Sequence, residues 1–264
     1  MADVQELHRG GRVVRLTRLG QRWWPDLGIE KRDVAAYYGA VAPVLLPHLR
    51  DRPLTIRRHF NGPRSPFEWV KDAPPDLPPW IPVCPQPAKS RDGALVRYPV
   101  VADELGLLWL LEFGAIDFHV WTSRCDRPDR PDVVVFDLDP AAVPFADVVR
   151  AARLLKEALD ALGLDSFPMT SGGEGLHVRI PIARRHDYPQ VREFCRLVAE
   201  ALAATSSLVT LERRPAARRG VFVDVKMNGH GQQIVGPVLG APTPGRDRRD
   251  AARLGRAGRG PRPA

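Results

Sequence analysis

The spacing of apolar residues along the chain changes period several times, and each change predicts an element. Val34, Tyr37, Tyr38, Val41 and Leu45 recur at helical spacing and predict a helix over 30–49, with Pro43 inside it expected to kink or split it. Leu105, Leu108, Trp109 and Glu112 predict a second helix over 103–113, stopped by Gly114. A third, over 145–162, carries Val148, Val149, Ala152, Leu155, Leu159 and Leu162 on one stripe. A fourth is predicted over 190–203. Period-two or continuous apolar runs predict strands over 53–58, 94–101, 116–121, 133–140, 167–170, 176–180, 208–211 and 221–225. In the 116–121 run, Ile116, Phe118 and Val120 fall on one face, and Asp117, His119 and Trp121 on the other. Trp23-Trp24-Pro25 ahead of Gly28 predicts a turn with exposed aromatics, and the prolines between 61 and 93 predict loop with little regular structure. Strands and helices mix without strict alternation, which predicts an α+β fold with mixed or antiparallel sheets. The globular body is read as residues 1–241. The Pro-, Gly- and Arg-rich residues 242–264 have no apolar periodicity and are expected to be a disordered basic tail.

Charge narrows the choice of partner. Thirty-nine Lys and Arg against 31 Asp and Glu give a net charge of +8, which favours a polyanion, nucleic acid ahead of a membrane surface. The abundance of Ala, Gly, Pro and Arg together allows a plainer origin in coding bias. Cys84, Cys125 and Cys195 are far apart and make no Cys-x-x-Cys pair, so neither a structural zinc site nor a disulfide framework is expected. No apolar run has transmembrane length, and the expected setting is cytoplasmic, without a membrane partner.

Three stretches carry candidate chemistry. In Val133-Val134-Val135-Phe136-Asp137-Leu138-Asp139-Pro140, an apolar strand delivers two carboxylates at positions i and i+2, hence to one face. Two carboxylates on one edge repel unless a cation sits between them, and oxygen ligands suit Mg²⁺ or Mn²⁺. An ordinary Asp-Pro turn is the plainer reading. Ser171-Gly172-Gly173-Glu174-Gly175-Leu176-His177 lets a backbone turn tightly and aim N–H groups at a phosphate, although a simple hairpin turn has the same composition. His177 either donates to a phosphate oxygen or is only a satisfied polar residue. Val221-Phe222-Val223-Asp224 brings a third carboxylate on a strand end, which alone reads as a solvent-facing edge residue.

In this order and spacing, the three stretches resemble the polymerase domain of bacterial DNA ligase D, in the archaeo-eukaryotic primase superfamily. The resemblance extends over roughly 14–237. It includes Gly28-Ile29-Glu30-Lys31-Arg32-Asp33, Arg52-Pro53-Leu54-Thr55, and Trp109-Leu110 followed by Gly114-Ala115-Ile116-Asp117 and His119. It implies a primase-polymerase fold of two subdomains, with sheets flanked by helices and the active site in a cleft. By the family pattern, Asp137, Asp139 and Asp224 hold two divalent ions, Mn²⁺ or Mg²⁺. Ser171, Gly172, Gly173, Gly175, His177 and His119 hold the incoming nucleotide. Arg57, Arg58 and Lys71 match basic positions near it, and Lys31 matches a lysine that grips a downstream 5′-phosphate. The implied activity is template-dependent nucleotide transfer from NTPs or dNTPs onto a DNA primer, in gap filling at double-strand breaks. Ku and a separate DNA ligase are the implied partners.

The chain departs from the pattern in places. A second family lysine of the 5′-phosphate region is Gln21 here, and Glu174 stands where the loop usually has Lys. A Phe-Phe-x-Lys segment reads Glu68-Trp69-Val70-Lys71. A terminal Pro-Tyr-Ser-x-Arg reads Pro237-Val238-Leu239-Gly240, which leaves Arg218 or Arg219 to meet the phosphates. These changes keep a rival open: a catalytically weakened module of the same fold that binds DNA ends. A two-metal nuclease would share the acids without needing the glycine loop. Trp23, Trp24 and Trp69 are candidates for stacking on bases, or for packing.

Overall fold

The computed structural model describes residues 3–87 and 93–236. The predicted tail over 242–264 and the segment 237–240 lie outside the described residues. The chain opens with a hairpin, β1 (Gln5–Arg9) and β2 (Arg12–Leu16), followed by β3 (Arg22–Trp24) paired with β4 (Ile29–Glu30). Trp23 and Trp24 belong to β3 and are buried, so the expected exposed-aromatic turn is wrong. Dense packing against the first core outweighs the turn chemistry of the neighbouring Pro25 and Gly28.

Helix α1 (Lys31–Leu49) starts at a capping box in which Glu30 and Asp33 satisfy each other's backbone N–H groups. It runs unbroken through Pro43 and Pro47. A proline costs a helix one hydrogen bond and a steric contact. Here Ala42, Leu45 and Leu49 are buried around the prolines, and that packing holds the helix together. Next come β5 (Leu54–His59), β6 (Phe67–Val70), β7 (Val83–Pro87) and β8 (Leu95–Pro99). Strands β6 and β7 correct the reading of 61–93 as loop. In β7, Pro85 and Pro87 alternate with Cys84 and Gln86, a pattern that an edge strand tolerates.

Helix α2 (Glu104–Glu112) is capped by the Asp103 side chain, which accepts from Gly106 N at 2.9 Å. Then follow β9 (Ala115–Val120), the short pair β10 (Ser123–Arg124) and β11 (Arg127–Pro131), β12 (Val133–Pro140) and α3 (Phe145–Ala161). The chain continues through β13 (Phe167–Thr170), β14 (Leu176–Pro181), α4 (Tyr188–Thr205), β15 (Val209–Thr210), β16 (Val221–Asp224) and β17 (Ile234–Val235).

Two sheets organise these elements into an α+β fold. One has the order β17-β9-β5-β6 and is antiparallel, and its core is shared with α1, α2 and the N-terminal hairpin. The other has the order β13-β14-β12-β16-β15, antiparallel except where β15 runs alongside β16, and α3 and α4 cover its face. Strand β12 joins the two cores. Val134, Phe136 and Leu138 pack into the second core, while Val133 and Val135 meet the first. Alternation then puts Asp137 and Asp139 on the same side as Val133 and Val135, where the strand runs past the packed contact and a cleft begins.

Candidate active site

Sheet register assembles the acids. Asp137 is the Cα partner of both Asp224 on β16 and His177 on β14. Cross-strand partners share a face with their Cβ atoms about 5 Å apart, and Asp139 lies two residues along on the same face. His177 is buried, with Nε2 3.3 Å from Asp137 Oδ1. Burial first, then the nearby Asp137 carboxylate, holds the Asp139 carboxyl above its usual range; Arg218 opposes this shift and Asp224 adds to it. Asp224 Oδ1 accepts from the Lys226 backbone N–H at 2.7 Å.

The strand that carries Asp137 is fixed from behind. Where β16 ends, the buried Asn228 side chain continues the ladder. Its Oδ1 accepts from Val135 N at 2.9 Å, and its Nδ2 donates to Val135 O at 2.6 Å and Val225 O at 3.1 Å.

The glycine loop lies beside Asp139. Ser171 Oγ accepts from the N–H groups of Gly173 and Gly175, each at 3.2 Å. Gly172 has φ of +81°. A Cβ on Gly175 would come within 2.3 Å of Leu138 O and 3.2 Å of Asp139 Oδ1, so only glycine allows this approach. Glu174 is exposed. Arg218 lies over the Phe222 ring at 3.8 Å, and Phe222 is the strand partner of Asp139. Its Nε donates to Glu212 O at 3.1 Å. Arg219 is exposed and donates to backbone carbonyls.

The other sheet supplies a second polar surface. As alternation predicted, Ile116, Phe118 and Val120 face the core, while Asp117 and His119 share the opposite face with Thr55 and Arg57. Arg57 is ion-paired with Asp117, and His119 Nε2 is 3.7 Å from the same carboxylate. The His119 ring meets Trp69 edge-on at 4.8 Å, and Trp69 is 52% exposed. Trp23 and Trp24 are core residues, so of the three candidate stacking tryptophans only Trp69 offers its ring to solvent. Lys71 is exposed just after β6.

Buried polar atoms normally find partners. Among the described residues, six of the twelve buried side-chain atoms without a hydrogen bond lie on these two surfaces: Asp137 Oδ1 and His177 Nδ1 on one, Thr55 Oγ1, Arg57 Nε, Asp117 Oδ1 and His119 Nε2 on the other. The oxygen-rich donor set, with Asp137 Oδ1 facing His177 Nε2 but in no hydrogen bond, fits a hard cation. Among the described residues no group of three or more His, Cys, Asp or Glu side chains is arranged to hold a metal ion by itself. An ion of this class normally takes only one or two carboxylates and fills its shell with water and substrate phosphate.

Lys31 belongs to a separate cavity of about 290 Å³, shared with Gln21, Trp23, Arg58 and Glu112. It is 2% exposed, and its Nζ donates to Glu112 Oε2 at 2.6 Å. The same carboxylate also accepts from Thr17 N and Oγ1. Glu112 and Asn228 are the contributors that residue-by-residue reading missed as partners. Each acts through a contact more than 80 positions away, which no local pattern carries.

Comparison with known proteins agrees with this architecture. The family model "LigD, primase-polymerase domain" matches residues 30–238. The chain is 31% identical over 235 residues to the multifunctional non-homologous end joining DNA repair protein LigD of Mycobacterium tuberculosis, covering 85% of this chain and 31% of that protein. It is 32% identical over 211 residues to the bifunctional non-homologous end joining protein LigD of Bacillus subtilis, covering 78% and 33%. The chain thus spans about a third of the length of these relatives. The solved polymerase domain of M. tuberculosis ligase D in complex with DNA superposes with a TM-score of 0.78 at 30% identity, covering 85% of this chain and 81% of that one. Among the described residues no helix is long and apolar enough to cross a membrane.

Proposed function

The chain belongs to the LigD primase-polymerase domain family, and from that premise we propose that it extends a DNA primer by template-dependent nucleotidyl transfer, filling gaps at broken ends. The observation that carries this reading is the register that sets Asp137, Asp224 and His177 side by side with the Ser171–Gly175 loop against Asp139. In the reaction a primer 3′-hydroxyl attacks the α-phosphate of a nucleoside triphosphate and pyrophosphate leaves.

Each group has a task in that reaction. Asp137, Asp139 and Asp224 would hold divalent ions, Mn²⁺ or Mg²⁺, which when bound make the attacking oxygen more nucleophilic and neutralise the leaving phosphates. Ser171 holds the glycine loop so that its remaining N–H groups can face the triphosphate. Arg218, beside Asp139, offsets phosphate charge in place of the arginine that family members carry further along. His177 keeps Asp137 oriented. His119 and Arg57, held by Asp117, meet the sugar and phosphates from the opposite wall, with Lys71 adding charge at its rim. Trp69 offers a stacking face to the base. Lys31 lies in its own cavity with Arg58, where a downstream 5′-phosphate would enter. There Glu112 already neutralises the lysine, so a 5′-phosphate contributes less to this enzyme than a free lysine would allow. End joining would proceed with Ku and a DNA ligase activity.

The test is primer extension on gapped DNA with either a 5′-phosphate or a 5′-hydroxyl downstream, with Mn²⁺ or Mg²⁺, comparing NTPs with dNTPs. Expected are cation-dependent extension, its loss in Asp137→Ala, and a less than tenfold advantage for the 5′-phosphate. Salt-sensitive DNA binding without extension would favour the end-binding module instead.

A further inference from the structure

The three cysteines are widely spaced along the chain, yet the fold brings two of them together. Cys84 lies on β7. With Val96, Tyr98, Val100 and Trp121 it forms a third, small core under the β7–β8 hairpin. Cys125, in the turn between β10 and β11, packs against the same cluster. Both thiols are free. Cys84 is buried and Cys125 only half-buried, so a small solute reaches the pair from the Cys125 side.

The two sulfurs act on each other. Cys84 Sγ accepts from Gln86 Nε2 at 3.3 Å. The Cys125 thiol donates to the same sulfur, and this bond lowers the pKa of Cys84 against the opposing effect of burial, with Gln86 in support. The same bond, followed by burial, raises that of Cys125. The pair is thereby polarised, with Cys84 the nucleophile and Cys125 the holder of the proton. Cys195 differs on each count. It lies fully buried in the second core with no other cysteine in its cluster, and burial pushes its thiol up.

The position of the pair gives a crosslink a mechanical consequence. Cys125 N donates to Asp51 O at 2.7 Å, just past the end of α1. Trp121 meets Tyr98 at 5.4 Å and His230 at 5.1 Å, and His230 meets Tyr188, at the start of α4, at 5.3 Å. The small core therefore sits where the hairpin, the end of α1 and the second subdomain come together. A bond from Cys84 to Cys125 ties the hairpin to that junction.

We propose that Cys84 and Cys125 are a redox site, closing to an intramolecular disulfide under a peroxide and reopening under a thiol reductant. The Cys84 thiolate attacks one peroxide oxygen, the O–O bond breaks, and hydroxide leaves, which makes Cys84 a sulfenic acid. The Cys125 sulfur then attacks Cys84 Sγ. The S–S bond forms, the S–O bond breaks, and the hydroxyl leaves with the Cys125 proton as water. In sum, two thiols lose two electrons and two protons, and hydrogen peroxide takes both and becomes two waters. The disulfide closes a loop of about 40 residues, a constraint that stabilises mainly by restricting the unfolded chain. The inference stands apart from the polymerase reading.

The test treats the folded protein with hydrogen peroxide, blocks remaining thiols with an alkylating agent, and maps the digest by mass spectrometry without reduction. Expected are a Cys84–Cys125 linked peptide, Cys195 still in its reduced form, and a melting temperature higher by several degrees. Dithiothreitol reverses all of these changes. In Cys125→Ser no linked peptide forms, Cys84 stops at the sulfenic acid, and peroxide leaves the melting temperature unraised. Recovery of Cys84 and Cys125 both alkylated after peroxide overturns the inference. So do crosslinks that involve Cys195 or join two chains. A linked form that melts no higher than the reduced protein overturns the clamp. The wild-type peptide map decides the matter even where a cysteine variant folds poorly.

Discussion

At the scale of single residues, what the site tolerates depends on how closely backbones approach. Gly175 has no room for a methyl group, because Leu138 O occupies the place a Cβ would take. Gly175→Ala must push the loop off β12. A loop moved by even 1 Å misplaces its donors, and such shifts cost about 100-fold in rate. We expect an extension rate lower by about that factor, with the secondary structure intact by circular dichroism. Gly173→Ala is the control, since its Cβ would meet only Ser171 Oγ at 3.6 Å, and it should lose far less. Near-equal losses in the two variants would show that close approach to β12 is not what selects Gly175. The importance of these glycines was legible in the sequence as a tight turn beside a serine. That Gly175 touches the aspartate strand was not legible, because it depends on the β12–β14 register.

At the scale of elements, the sequence announced what periodicity controls and concealed what pairing controls. The stripe of α3, the helix α4 and the strands carrying Asp137, His177 and Asp224 were visible because a continuous or periodic apolar run is a local property. Strands β6 and β7 were hidden under prolines, and Trp23 and Trp24 under a turn signature, because tertiary packing decided both. Asn228 was hidden for the same reason. It works as a strand substitute, filling both backbone groups of Val135 two residues before Asp137. Asn228→Leu keeps the volume and leaves those groups buried and unpaired, at about 1–3 kcal/mol each. A 1 kcal/mol loss lowers the melting temperature of a domain this size by about 2–4 °C. Thermal melts should therefore show a drop of at least several degrees, with lower activity in the surviving folded protein. A melting temperature within a degree of wild type would mean that β12 is held elsewhere.

At the scale of the whole molecule, β12 belongs to two cores and carries the carboxylates where those cores part, so stability and the proposed catalysis meet on one strand. The fold class and the three acids were readable from the chain. The cleft was not, because it exists only where two subdomains share a strand. The consequence is a linkage between cation, pH and stability. Asp139 has a folded pKa above its ordinary value, so the folded state binds this proton more tightly than the unfolded one. Its contribution is most favourable below the ordinary carboxylate pKa. It declines as pH rises through the folded value, and at neutral pH the ionised group is a net cost. Asp139→Asn removes that cost, so without divalent ions it should melt higher than wild type at pH 7 and nearly level with it near pH 4. Ions that bind only the folded state reverse the order. They stabilise by about 2.7 kcal/mol at 100 times their dissociation constant, which raises wild-type melting at pH 7 and leaves Asp139→Asn nearly unmoved. Melts with EDTA, with Mg²⁺ and with Mn²⁺ at both pH values decide the matter. An equal cation response in the two proteins would place the ions away from Asp139. A lower ion-free melting temperature for the variant at pH 7 would show that the repulsion among the acids is relieved within the protein itself.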